Sequence, residues 1–140
     1  MDGSVVIENQ KITNYFKANR IMMDQPIAKI ADKDIERIIV RDYGGKSDEV
    51  LKYLNEYVSE NEKFRVWAAL LKISNGSISE LRKNILLANV DYRDVLAEAE
   101  YPVYTKKVGF DSNKFSKSEL EKIIKSDFEQ YKEWLEKRDR

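Results

Sequence analysis

Apolar residues recur three and four positions apart along most of this chain, with polar residues between them. That spacing places the apolar side chains on one face of an α-helix. Positions 32–43 follow the pattern and predict a helix whose inward face holds Ile35, Ile38, Ile39 and Tyr43. A second helix is predicted over 47–60. Positions 62–74 are apolar on nearly every face, which is typical of a central, buried helix.

Short polar motifs predict where several helices begin. Ser-x-x-Glu occurs at 77–80 and again at 116–119, and in this motif each side chain bonds to the other residue's backbone N–H group. Asp91, with a second aspartate three residues later, resembles a further cap, so we expect the chain to bend near Asn89. A single long helix over 78–100 is the alternative.

These patterns predict an all-α fold, a single-domain helical bundle of about five or six helices over residues 31–140. Trp67 and Trp134 are the expected aromatic anchors of its core. Residues 1–30 form an N-terminal segment of mixed pattern, in which strand and helix both fit. We expect the whole chain of 140 residues to form one folded unit, large enough to bury a core without disulfides.

Composition excludes several kinds of chemistry. The chain has no cysteine and no histidine, which excludes disulfides, Cys-ligated metals, a thiolate nucleophile and a Ser-His-Asp triad. Its 25 lysines and arginines balance 25 acidic residues, so no overall field attracts nucleic acid or an anionic membrane. No apolar run approaches the ~20 residues that span a bilayer. We expect a cytoplasmic protein with no cofactor and no membrane partner.

The stretch GGKS at 44–47 matches the end of a phosphate-binding P-loop. The full motif requires a glycine five positions before Gly45 and a strand ahead of the loop, whereas Val40 occupies that position inside a helical pattern. Gly44 as the C-cap of one helix and Ser47 as the N-cap of the next explain the stretch without a ligand. We favour this structural interpretation.

The stretch NVDYRDVLAEAEYP, from 89 to 102, holds four carboxylates. On a helix, Asp91, Asp94 and Glu98 share one face, and such a row could hold Mg²⁺ or carry out acid and base catalysis. Carboxylate metal sites of the Glu-x-x-His type are excluded because histidine is absent. We favour a solvated acidic face with Asp91 as a helix cap. The opposite, inward stripe is predicted to comprise Tyr92, Val95, Leu96 and Ala99.

After Pro102, positions 103–115 predict a non-helical loop that interleaves aromatic and basic side chains. The candidates here are Tyr101, Tyr104, Lys106, Lys107 and Phe110. Stacking combined with positive charge would suit single-stranded nucleic acid or a phosphorylated partner. The interpretation we favour packs the aromatic rings against the core and leaves the lysines in water, because a loop of this length needs anchors.

Three phrases, IVRDYG, DYRDVLAEAEYP and SDFEQYKEWL, resemble a group of small, uncharacterised bacterial all-helical proteins. The resemblance spans roughly positions 35–135. It implies a bacterial, soluble, cytoplasmic helical protein, and it brings no activity, cofactor or catalytic residue with it.

Three functional hypotheses follow. The leading one is a non-enzymatic helical module that binds another protein through the acidic face of 91–98 and the aromatic residues of 101–115. The alternative is a nucleic-acid-associated protein that uses the basic and aromatic segment 101–117. A carboxylate-dependent metal hydrolase is the least favoured. No catalytic residue and no metal ligand is assigned, and the candidate binding residues are Asp91, Asp94, Glu98, Tyr101, Tyr104, Lys106, Lys107 and Phe110.

Overall fold

The computed structural model describes residues 25–139 of the chain. They form six α-helices and two short 3-10 turns, and no β-strand occurs within that range. The prediction of an all-α fold is confirmed. The mixed pattern assigned to residues 1–30 lies almost entirely outside the described residues. The helices are α1 (Asp32–Tyr43), α2 (Ser47–Leu54), α3 (Lys63–Ser74), α4 (Ile78–Glu100), α5 (Pro102–Lys107) and α6 (Lys117–Glu136), and the turns are Gly44–Lys46 and Ser112–Lys114.

Helix α3 lies at the centre of the fold. Every residue from 66 to 71 is buried, and the helix packs against α1 on one side and along α4 on the other. Each fully buried leucine or valine contributes about 1.5–3 kcal/mol relative to an exposed position, so this helix supplies much of the driving force for folding. The Tyr43 hydroxyl donates to the Leu71 carbonyl oxygen at 3.1 Å and ties α1 to α3. The prediction of a central, buried helix is confirmed.

The GGKS stretch forms the turn between α1 and α2. Gly44 ends α1 with φ at 56°, a backbone conformation that favours glycine. The element before the turn is a helix and not a strand, so the geometry of a P-loop is not present. The predicted N-cap role of Ser47 is wrong, because Ser47 is the first residue of α2 and its hydroxyl donates back to the Gly44 carbonyl oxygen at 2.9 Å.

Helix α6 begins with the predicted capping box. The Ser116 hydroxyl accepts from the Glu119 N–H at 3.1 Å, and the Glu119 carboxylate accepts from the Ser116 N–H at 3.0 Å. The hydrogen bonds from Ser116 lower the pKa of Glu119. At the start of α4 the Ser77 hydroxyl accepts from the Glu80 N–H at 3.2 Å, which is the serine half of the second predicted box.

Two arginines of α1 donate hydrogen bonds to carbonyl oxygens at the C-terminal end of α6. The Arg37 guanidinium donates to the Leu135 carbonyl oxygen at 2.7 Å, and Arg41 donates to the carbonyl oxygens of Trp134 and Lys137, both at 2.6 Å. These carbonyls have no partner inside the helix, and positive charge is favourable at the negative end of the helix dipole. Arg41 also lies over the Trp134 ring at 5.1 Å. Trp134 packs against the core as a partly buried residue, whereas Trp67 is buried within it.

The segment after Pro102 is helical at its start, which corrects the prediction of a loop over 103–115. Pro102 occupies the first position of α5, where its missing N–H group costs nothing and its fixed φ suits a helix. The Asp127 carboxylate of α6 accepts from the Val103 N–H at 3.3 Å and from the Tyr104 N–H at 2.8 Å. The capping residue lies 23 residues further along the chain, so the spacing of residues near Pro102 does not predict this helix.

Helices α5 and α6 share a second, smaller hydrophobic core. Its buried centre is formed by Tyr101, Tyr104 and Val108, and the α6 side chains and their neighbours cover it from one side. Those partly buried contacts are Phe115, Leu120, Ile123, Ile124 and Phe128. The aromatic residues of this segment therefore serve mainly as the anchors of a short helical corner.

Candidate functional site

Helix α4 bends at Asp91, as the acidic motif predicts. Asp91 has φ at −155° and ψ at 100°, outside the helical region, although the helix continues on both sides. Its carboxylate accepts from the Arg93 N–H at 3.0 Å and pairs with the Arg93 guanidinium at 3.0 Å. These hydrogen bonds from Arg93 lower the pKa of Asp91. Asp91 thus caps the second half of α4, and the prediction of a bend near Asn89 is confirmed.

The two faces of this half of α4 separate as predicted. Val95, Leu96 and Ala99 are buried, and Tyr92 is half-buried. Asp94 and Glu98 are exposed on the opposite side, while the Asp91 carboxylate is held by Arg93. Between residues 25 and 139, no group of three acidic side chains is arranged so that it could hold a metal ion. The acidic row is a solvent-facing stripe.

The fourth carboxylate of the stretch, Glu100, is the one that the sequence analysis missed. Glu100 is buried, with 5% of its side chain exposed, and it accepts two hydrogen bonds from Arg65 of α3, each at 2.7 Å. This is a bidentate pair of the strong, charge-assisted kind. Arg65, placed on a helix that is otherwise apolar on most faces, was the available signal that a buried acid must lie opposite.

Further polar groups surround this ion pair inside the fold. Lys72 donates to the Ala99 carbonyl oxygen at 2.9 Å, and its burial lowers its pKa. Burial raises the pKa of Asp127, although hydrogen bonds from α5 act against the shift. Burial likewise raises the pKa of Tyr131 well above its ordinary range. The two buried carboxylates accept hydrogen bonds, Glu100 from Arg65 and Asp127 from backbone N–H groups of α5. These bonds join α3 to α4 and α5 to α6.

The basic and aromatic segment divides into a buried and an exposed part. Tyr101 and Tyr104 are each 2% exposed, and the Tyr101 hydroxyl donates to the Pro26 carbonyl oxygen. The rings of these two tyrosines lie inside the protein, as the favoured interpretation of this segment predicts. Lys106 and Lys107 are exposed, and Phe110 is 64% exposed. Of the two aromatic rings that the nucleic-acid hypothesis uses for base stacking, Tyr104 is buried and Phe110 is exposed.

A group of large apolar side chains is exposed on the outward side of the first half of α4. Leu86, Leu87 and Val90 are 69%, 55% and 86% exposed, and they lie within about one helical turn of each other. Val58, which is 78% exposed, belongs to the loop that contacts the same helix. We call these four side chains the α4 surface. The apolar spacing of this helix predicts its inward stripe but does not predict this outward group.

Asn89 fixes the position of Val58 beside α4. Its side-chain nitrogen donates to the Glu56 carbonyl oxygen at 3.0 Å, and its side-chain oxygen accepts from the Val58 N–H at 3.0 Å. The amide thus forms hydrogen bonds with two backbone groups of the segment that follows α2. Helix α2 ends at Leu54 and does not continue to position 60 as predicted. A groove of about 400 Å³ lies next to these contacts at the bend. It is lined by Ser59, Ala88, Asn89, Val90, Asp91, Tyr92 and Arg93.

Comparison of the chain with models of protein families, with curated proteins and with solved structures finds no match. In the part of the chain that the structure describes, no helix has the combination of length and apolar character needed to cross a membrane.

Proposed function

We propose that this protein is a non-enzymatic binding module and that the α4 surface is where it contacts another protein chain. The observation that carries the proposal is the exposure of Leu86, Leu87, Val90 and Val58 on one side of the molecule. Contiguous exposed apolar groups of this kind are typical of protein interaction sites, because their burial in a complex removes apolar area from water. The acidic residues Asp94 and Glu98 are also exposed, on the half of α4 that follows the bend at Asp91.

The rigidity of the surface supports the proposal. Leu86, Leu87 and Val90 stand on a helix whose inner face is packed on the core, and Asn89 holds Val58 with two hydrogen bonds. A surface held in one conformation loses little conformational entropy when it binds. A chain without cysteine agrees with a reducing compartment, and we propose the cytoplasm as the place of binding.

Photocrosslinking in cells that express the full chain tests this proposal. A benzophenone side chain placed at position 87 should form covalent adducts with a second polypeptide, and the added substitution Val90→Asp should abolish them. The matched control places the same group at Val40 of α1, which is 63% exposed. Adducts from position 87 that are no more abundant than those from position 40, or that persist with Val90→Asp, would refute the proposal.

A further inference from the structure

Carboxylates surround the groove at the bend of α4. The groove is lined by Ser59 of the segment 55–62 and by residues 88–93 of α4, and Asn89 fixes this segment against α4 with two hydrogen bonds. Residues 55–62 and 88–94 together carry five carboxylates and one guanidinium. The carboxylates are those of Glu56, Glu60, Glu62, Asp91 and Asp94. This part of the surface is therefore acidic, although the chain as a whole has no net charge.

Two of these carboxylates have a cation beside them. Asp91 is held by Arg93 at 3.0 Å, and Glu62 lies 3.9 Å from Arg65. The other three are exposed, and in the described part of the chain no lysine or arginine lies within ion-pair distance of them; they are Glu56, Glu60 and Asp94. Like charges placed close together repel each other, and a cationic partner would relieve that repulsion.

The same place carries apolar side chains that a partner can bury. Val58, which is 78% exposed, stands between Glu56 and Glu60 in the segment that Asn89 holds. Val90, which is 86% exposed, belongs to the α4 surface and also lines the groove. Exposed apolar residues with carboxylates beside them are complementary to an amphipathic segment in which apolar residues and lysines or arginines recur at helical spacing.

We infer that the chain which binds the α4 surface presents a basic amphipathic segment. Its apolar residues contact the α4 surface, and its lysines or arginines lie beside Glu56, Glu60 and Asp94. This inference rests on the proposed function and names the chemistry of its partner. Nucleic acid, an anionic membrane and an acidic protein segment are disfavoured, because their negative charges would meet the same carboxylates.

The other end of the α4 surface gives the partner a direction. Lys83 is exposed one helical turn before Leu87, and the Arg82 guanidinium lies over the Tyr53 ring at 4.7 Å. Both cations precede the apolar residues of α4, on the side away from the bend. The basic residues of the partner are therefore concentrated at the end that meets the groove.

Fluorescence anisotropy of a labelled synthetic helix tests the inference on the full chain. The probe is a peptide about four turns long with leucine on one face and lysine on the other, and the comparison probe has glutamate in place of every lysine. The lysine peptide should bind with a dissociation constant below about 100 μM at low salt, and more weakly as the salt concentration rises. The glutamate peptide should bind at least about tenfold more weakly.

Exchange of charges on the protein locates the binding site. Glu56→Lys combined with Glu60→Lys should weaken binding of the lysine peptide about tenfold or more, because attraction becomes repulsion. The matched control, Glu121→Lys combined with Glu129→Lys, makes the same change in total charge at exposed positions of α6 and should weaken binding less than about twofold. Lys83→Glu should strengthen binding about two- to fivefold, because it replaces a cation beside the apolar residues with a carboxylate.

Contrary outcomes are distinct for the two proposals. A lysine peptide that does not bind at about 1 mM, a glutamate peptide that binds as tightly, or a Glu56 and Glu60 double variant that binds no more weakly than its α6 control would each overturn the basic partner. If position 87 then still forms adducts in cells and the double variant leaves their amount unchanged, the binding module stands and only the chemistry of its partner is wrong. If position 87 forms no adduct, both proposals fail.

Discussion

The buried pair between Arg65 and Glu100 gives the sharpest test of how the four surrounding helices are held together. Glu100→Gln preserves the shape of the side chain and removes its charge, which leaves the Arg65 guanidinium with only the largely exposed Glu62 carboxylate nearby, at 3.9 Å. Removing one partner of a buried ion pair costs about 3–5 kcal/mol. The Arg65 side chain is 18% exposed, so water reaches it partly, and we expect the lower end of that range. The free energy of unfolding should fall by about 3 kcal/mol.

Urea unfolding followed by circular dichroism measures this change. With a denaturant slope of about 1–3 kcal/mol per molar, the midpoint should fall by roughly 1–3 M. Asp111→Asn is the matched control, because Asp111 pairs with Lys114 at 3.9 Å and their side chains are 63% and 70% exposed. Exposed pairs of this kind contribute about 0–1 kcal/mol.

A double replacement separates the loss of charge pairing from the loss of packing. Arg65→Met combined with Glu100→Leu removes both charges, and such apolar replacements of buried pairs are often neutral or stabilising. The double variant should therefore be more stable than Glu100→Gln. The reasoning would be refuted if Glu100→Gln cost less than about 1 kcal/mol, or if the double variant were the less stable of the two.

Three further predictions concern helix caps and pH. Asp127→Ala should lower the free energy of unfolding, measured by urea titration, by about 2–4 kcal/mol, because two backbone N–H groups of α5 lose their acceptor. A change below about 0.5 kcal/mol would contradict the capping role. Ser116→Ala should cost about 1 kcal/mol, whereas Ser118→Ala, inside α6, should be nearly neutral by the same assay. Burial raises the pKa of Asp127, so the folded state binds its proton more tightly and the contribution of this group falls as the pH rises through that pKa. Asp127→Asn should therefore gain stability relative to the wild type between about pH 3 and pH 7, and a difference that is constant with pH would refute this. Asp91 has a lowered pKa and contributes in the opposite sense, with stability that is lost as the pH falls.

The positions of the helices and their inward faces follow from the sequence, because both depend on neighbours three or four residues away. The caps at Ser77 and Ser116, the bend at Asp91 and the buried character of α3 are all of this kind. Each arises from hydrogen bonds or apolar spacing within a single turn of chain. Local physical chemistry is sufficient for these features.

Other features were decided only by the tertiary structure, because they depend on which distant segments meet. The sequence assigned no role to Glu100, and its partner became apparent only when α3 placed Arg65 against it, 35 residues away in sequence. The segment after Pro102 looked like a loop until Asp127 capped it from α6. The exposure of Leu86, Leu87 and Val90 has the same origin, since a helix pattern shows that a residue is apolar and only the packing of the other helices decides which apolar faces are covered.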